Sequence, residues 1–199
     1  MSTLGHESAT TDAPDAGIRP MRADARRNRD RILAAAAEAF SAYGTEAQMD
    51  DVARAAGVGV GTVYRHFPTK EALVSELVRR KFATFIANAH AALEEPDAWE
   101  GFAGLLRANA EVMARDAAVR EVLLRTPNSW TFAAVERDEL RGLADRLVRR
   151  AQEAGALRRD FAADDIPMLM CGVSSTMAAG PAFDWRRHLE LILDGLRAR

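Results

Sequence analysis

The sequence predicts an all-α protein, and three observations carry that expectation. Apolar residues recur at helical spacing in segment after segment, strand-like alternation is missing, and Gly or Pro closes most of the periodic stretches. About nine helices are expected. The 199 residues are 48% hydrophobic and 28% charged, which excludes a disordered chain and suffices for a core without disulfide or metal staples. The longest apolar stretches, Ile32 to Ala37 and Ile166 to Val173, fall far short of the ~20 residues that a membrane span needs. The single cysteine, Cys171, has no internal partner and fits a reducing compartment. Residues 1–18 lack the basic head and apolar run of a secretion signal, so the expected location is cytoplasmic, with no membrane partner.

The first ~20 residues hold little to bury and are expected to form a disordered arm. A first helix follows from about Ala23 to Tyr43, with Ile32, Ala36 and Phe40 along one face and Gly44 at its end. A second carries Met49, Val52, Ala53 and Ala56 at helical spacing, has Asp50 and Asp51 in its first turn, and stops at Gly57. A short third helix covers Val60 to His66, ended by Phe67-Pro68 because the residue before a proline is pushed out of the helical region. Thr69 caps a long fourth helix, about Lys70 to Leu93, striped by Val74, Val78, Phe82, Phe85 and Ala89.

Pro96 and Asp97 introduce a fifth helix with Trp99, Phe102, Leu106, Asn109 and Met113 in register. A short sixth helix carries Val119, Val122 and Leu123. The seventh, about Thr131 to Ala154, has Leu140, Leu143, Leu147 and Ala151 on one side and Arg141, Arg146, Arg149 and Arg150 on what is expected to be a solvated face. The eighth spans about Ala163 to Ala179, Gly180-Pro181 breaks it, and the ninth covers about Phe183 to Arg197.

Charge is distributed unevenly. Residues 19–81 hold 12 Lys and Arg against 8 Asp and Glu, whereas the flanking segments are acidic and the whole chain is −2. Arg19, Arg22, Arg26, Arg27, Arg29 and Arg31 crowd into one stretch, which is either a polyanion footprint or a solvated helix end. The second and third helices with the Gly57 turn make a helix-turn-helix, locked by Val52, Ala53, Val58, Val63 and Phe67. That leaves Val60, Thr62, Tyr64, Arg65 and His66 outward on a helix short enough to enter a major groove, with Gly59 and Gly61 permitting close backbone approach. A plain α-hairpin with a polar outer face is the alternative.

The run from Met49-Asp50-Asp51-Val52-Ala53-Arg54-Ala55-Ala56-Gly57-Val58-Gly59-Val60-Gly61-Thr62-Val63-Tyr64-Arg65-His66-Phe67-Pro68-Thr69-Lys70-Glu71-Ala72-Leu73 resembles the DNA-binding domain of the TetR family of bacterial transcriptional regulators. The resemblance extends back through Arg29 to Gly44 and covers about a third of the chain; the closing Trp185 to Leu196 stretch also looks like the last helix of many such proteins. With the disordered arm placed at residues 1–22, it implies a helix-turn-helix DNA-binding domain over 23–84 (the motif at about 48–67) and a larger ligand-binding and dimerisation domain over 85–199. It further implies a homodimeric repressor that binds a palindromic double-stranded DNA operator and leaves it when a small molecule binds. Carried over by position, Gly61, Thr62, Tyr64, His66 and Lys70 are expected at phosphates and base edges, and Val60 and Arg65 at the sequence-selective contacts. Two departures stand out: Gln48 and Gly59 occupy positions where the family usually has a capping Ser or Thr.

In the larger domain an effector pocket is expected among Phe82, Phe85, Ile86, Phe102 and Leu106, completed by Asn109, Met113, Trp130 and Phe132, for a hydrophobic or aromatic molecule. The same residues also suit an ordinary core. Dimerisation is expected through the last two helices, with Val173, Met177, Trp185 and Leu189, then Ile192, Leu193 and Leu196, at the interface. The alternatives are an orphan DNA-binding regulator without a ligand, or an all-α small-molecule-binding protein or enzyme. No catalytic residue, metal site or cofactor is expected: the Gly57–Gly61 run lacks the strand of a nucleotide-binding loop, Gly172 to Thr176 lacks the second glycine of a nucleophile elbow, the four histidines are scattered, and Cys171 suits a packing role.

Overall fold

Each periodic segment needs a partner for its apolar face, and the computed structural model shows how those partners are found. It describes residues 18–43, 46–115 and 133–198, with side chains from Asp24 onward. Eight α-helices occur among the described residues: α1 (Ile18–Tyr43), α2 (Met49–Ala56), α3 (Val60–His66), α4 (Lys70–Glu94), α5 (Ala98–Arg115), α6 (Ala134–Glu153), α7 (Ile166–Ala178) and α8 (Trp185–Leu196). A 3-10 turn, Ala163–Asp165, leads into α7. No strand forms among them; the one β-type contact is an isolated bridge between Leu157 and Arg197, which ties the end of α8 to the loop after α6. The expected sixth helix with Val119, Val122 and Leu123, and the pocket residues Trp130 and Phe132, lie outside the described residues.

α1 starts at Ile18 rather than Ala23, so residues 18–22, expected in a disordered arm, are helical. Pro20 sits in the first turn, where its missing N–H has no intrahelical partner to lose, and the following residues include the good helix formers Met21, Arg22 and Ala23. Thr69 caps α4 as expected, its hydroxyl accepting from the Ala72 N–H at 3.1 Å. Asp184 does the same for α8, accepting from the N–H groups of Arg186 and Arg187.

α4 is the spine. Its first half packs on α1, its second half on α5 and α6, and one continuous core runs from Ile32 and Phe40 in α1 through Val63, Val78 and Phe82 to Leu189 and Leu196 in α8. Near the far end of α4, Arg150 of α6 donates to the carbonyls of Leu93, Glu95 and Pro96. Those are helix-end acceptors that would otherwise lack a donor. Arg150 is therefore a capping group and not part of a solvated face.

The last two helices turn differently from expectation. Val173, Leu189, Leu193 and Leu196 were expected between subunits but are buried in the protomer's own core, and Met177, Trp185 and Ile192 pack half-buried against it. The faces left open carry Met168 on α7, 66% exposed, and Leu191 on α8, 58% exposed. The expected interface stripe belongs to the core because α5 and α7 reach across to cover it, an ion-pair strap holding α8 down: Arg107 of α5 forks onto both oxygens of Glu190 at 2.8 Å, and Arg186 onto Glu111 at 2.8 and 3.1 Å.

Candidate nucleic-acid interface

A helix that presents side chains to a groove must itself be held rigidly. α3 has only seven residues and no side-chain cap at Gly59, so its support is tertiary. Val63 is fully buried, in one apolar cluster with residues of α1 and α2, and Phe67, just beyond the helix, is 2% exposed. Gly57 closes α2 with φ +64, the left-handed conformation that side chains other than Gly adopt at a cost, and the Val58 N–H bonds back to the Ala53 carbonyl at 3.1 Å. Arg31 reaches from α1 to donate to the Ala56 carbonyl at 2.7 Å. At the other end of α2 the weak cap Gln48 is compensated: Asp51 accepts from the Gln48 N–H at 3.0 Å, the returning half of a capping box.

The arginine cluster divides. Arg31 seals the turn, and Arg29 lies 5.0 Å over the Phe67 ring while pairing with Glu76 of α4 at 2.8 Å. Arg80, on the next turn of α4, pairs with Asp30 of α1 at 2.6 Å and approaches Glu76 at 3.5 Å. So Arg29 and Arg31 hold the domain together, while Arg26 and Arg27 remain exposed on the N-terminal half of α1. The side chains of Arg19 and Arg22 lie outside the described residues.

The hydrogen bond from Arg29, reinforced by Arg80, holds the Glu76 carboxyl below its ordinary value of 4.5, and Arg80 lowers Asp30 in the same way. A carboxyl with a depressed pKa stabilises the fold above its ordinary range, and that contribution is lost as pH falls through the folded-state value. We expect the urea midpoint of the protein to drop as pH falls below 4.5, and the Glu76→Gln variant to be less stable at neutral pH with a shallower acid limb. Equal acid limbs would mean that the Glu76 pairing contributes nothing to the α1–α4 strap.

With Val63 inward, α3 turns Val60 (40% exposed), Tyr64 (48% exposed) and Arg65 outward, with Thr62 and His66 half-buried at its edges. A side chain at Gly61 would meet nothing within 4 Å, so the face is open there. Arg65 forms no ion pair with a described residue. Lys70 sits half-buried at the start of α4, its ammonium 5.7 Å over the Phe40 ring. Sequence reasoning placed these residues on one side of the domain; it missed the bracing roles of Arg29, Arg31 and Asp51, whose partners are set by packing.

In the larger domain the expected pocket residues separate. Phe85, Phe102, Leu106 and Met113 are buried core, and Ile86 packs on a second cluster with Leu105, Leu143 and Leu147. Asn109 is engaged across α4 and α5, its Oδ1 accepting from Asn88 Nδ2 at 2.9 Å. Phe82 alone of that described set lines a cavity of about 440 Å³ whose other described lining residues come from α6, the 3-10 turn and the first turn of α7. No helix among the described residues is long and apolar enough to cross a membrane.

Residues 32–77 match the family model described as bacterial regulatory proteins, tetR family, and residues 96–198 match the model of the transcriptional regulator SbtR-like, C-terminal domain. An HTH-type transcriptional regulator of Staphylococcus aureus is 39% identical over 34% of this chain; the match spans 37% of the length of that relative, little more than a third. The crystal structure of the TetR transcription regulatory protein from Mycobacterium vanbaalenii is 32% identical, covering 90% of this chain and all of that one, with a TM-score of 0.63. The fold is also that of the transcriptional regulator FadR from Bacillus subtilis, solved in complex with stearoyl-CoA, at 20% identity over 83% of this chain and 95% of that one, TM-score 0.71.

Proposed function

Because the chain belongs to the TetR family of bacterial regulatory proteins, we propose that it acts as a homodimeric, ligand-responsive repressor in which α3 enters the major groove of a palindromic operator. The observation that carries this reading is the outward face of α3: Val60, Tyr64 and Arg65 are exposed on a helix braced from behind by Val63, Arg31 and Phe67. Tyr64, Thr62, His66 and Lys70 position the protein on phosphates, which carry no sequence information, while Val60 and Arg65 select the base pairs. Arg26 and Arg27 extend the basic surface along α1 toward flanking phosphates.

Dimerisation joins the open faces of α7 and α8. Met168 and Leu191 supply apolar contacts, and Gly172, Ser175 and Gly195, all exposed, allow the helices of two protomers to approach closely in a four-helix bundle. The effector is a small hydrophobic molecule in the larger domain, and a protein of this fold has been found with stearoyl-CoA. By linkage, an effector that weakens operator binding must itself be bound less well by the operator-bound dimer.

The test is operator selection from random duplex DNA with the full chain, followed by titration at several salt concentrations. We expect Tyr64→Ala and Lys70→Ala to lower affinity about ten-fold or more on every sequence, and substitutions at Arg65 or Val60 to change which sequence is preferred. Unchanged affinity for Tyr64→Ala would show that α3 does not lie in the groove as oriented here.

A further inference from the structure

The cavity of about 440 Å³ beside α4 has an apolar floor and a charged rim, and the two rim arginines differ in how well they are satisfied. Phe82, Leu140, Ala144 and Ile166 form the floor. Arg141 forks onto Asp164, Nε to Oδ1 at 2.7 Å and Nη2 to Oδ2 at 2.8 Å, and so closes one edge by tying α6 to the 3-10 turn. Arg137, one helical turn earlier on the same face of α6, bonds among the described residues only its sequence neighbour Asp138, through a single carboxylate oxygen at 3.1 and 3.3 Å. No described residue accepts a bond from the Nη1 of Arg137, and the Asp138 side chain is 70% exposed. An exposed pair of this kind contributes little and exchanges readily for a better one.

We propose that this cavity binds an apolar monocarboxylate, its hydrocarbon body against Phe82 and Ile166 and its carboxylate forked onto Arg137. Three features select that class. A volume of about 440 Å³ suits a small organic molecule. The apolar floor favours burial of a hydrocarbon portion. The rim group with spare hydrogen-bonding capacity is a guanidinium, which matches a carboxylate in planar two-point geometry and gives up hydration more readily than an ammonium. A cationic ligand would instead depend on Asp138 or Asp164; the first points to solvent and the second is already held at both oxygens by Arg141.

The site also has a route to the DNA-binding domain. Phe82 lies on α4 one turn beyond Arg79, which pairs with Glu136 of α6 at 3.7 Å, adjacent in sequence to Arg137. Glu76 and Arg80, on the same helix, are the residues that strap α4 to α1. A carboxylate that draws Arg137 inward acts on the α4–α6 contact just above that strap. This consequence for DNA rests on the ligand-responsive reading above; the binding site itself does not.

The test is calorimetric titration of the full chain with octanoate and 4-phenylbutanoate, and with 1-octanol and octylamine as neutral and cationic counterparts. At least one carboxylate should bind about ten-fold or more tightly than the alcohol, and the amine should bind no better than the alcohol. Arg137→Ala should bring the carboxylate down to the level of the alcohol and leave the alcohol unchanged. Ala144→Phe should abolish binding of all of them, with Leu140→Trp filling the same space if the phenylalanine variant does not fold. Absence of carboxylate binding, equal affinity for acid and alcohol, or indifference to Arg137→Ala or to the filling variants would each overturn the proposal. Operator titration with and without the bound carboxylate reads the other question separately: binding that obeys these variants but leaves operator affinity unchanged upholds the site and refutes its role as the effector site.

Discussion

Leu191→Glu is expected to yield a folded monomer that has lost high-affinity operator binding. Leu191 is 58% exposed in the protomer, so a glutamate there costs the isolated fold little. In the proposed bundle the same carboxylate is buried against its symmetry mate, and like charges at a two-fold axis are strongly unfavourable. With one recognition helix per particle, the gain from engaging two half-sites disappears, a loss of about 10²–10⁴-fold in affinity. Sedimentation at micromolar concentration, circular dichroism and operator titration together check this. Leu193→Glu is the contrasting variant: Leu193 is 1% exposed and faces its own core, so the charge has no escape and the protein should fail to fold. A Leu191→Glu variant that stays dimeric would place the interface elsewhere.

The second large effect is at Val63. Its side chain is fully buried in the apolar cluster that joins α1, α2 and α3. Val63→Asp should cost about 3 kcal/mol or more, while Val63→Ala costs roughly 1–2 kcal/mol by lost burial and a small cavity. Urea unfolding gives both numbers. Because α3 has no side-chain cap of its own, operator affinity should fall even for Val63→Ala, before global unfolding is reached. An alanine variant with full operator affinity would mean that α3 is held by something other than this contact.

Which features were legible in the sequence follows from how local their causes are. The Gly57 stop, the Phe67-Pro68 break and the Thr69 cap are set by a few neighbouring residues, and α2 ends, α3 ends and α4 begins where those signals fall. Arg29 and Arg31 looked like part of a basic run because their partners, Glu76 and the Ala56 carbonyl, are 47 and 25 residues away. The stripe on α8 was equally visible, but periodicity shows only that a face is covered and not by which neighbour; α7 of the same chain packs on α8, and α5 is tied to it by two ion pairs. The aromatic residues of α4 and α5 went into the core, Phe102 of α5 packing edge-on against Phe161 of the loop after α6 at 5.6 Å, so of the described pocket residues only Phe82 lines the cavity beside α6. Arg137, which borders that cavity, lay on a helix face whose charges suggested only solvent.

The unbroken core along α4 bears on how a signal would be felt. Because the side chains behind α3 and those beneath the cavity belong to one packed cluster, opening of the smaller half is expected to loosen the packing of the larger one. Whatever stabilises the larger half then lowers the frequency with which α2 and α3 open locally, by the free energy of binding to the closed state. The reading head is thus also a reporter: the exchange rates of its amide protons should carry the imprint of events at Phe82, even though no ligand atom comes near them.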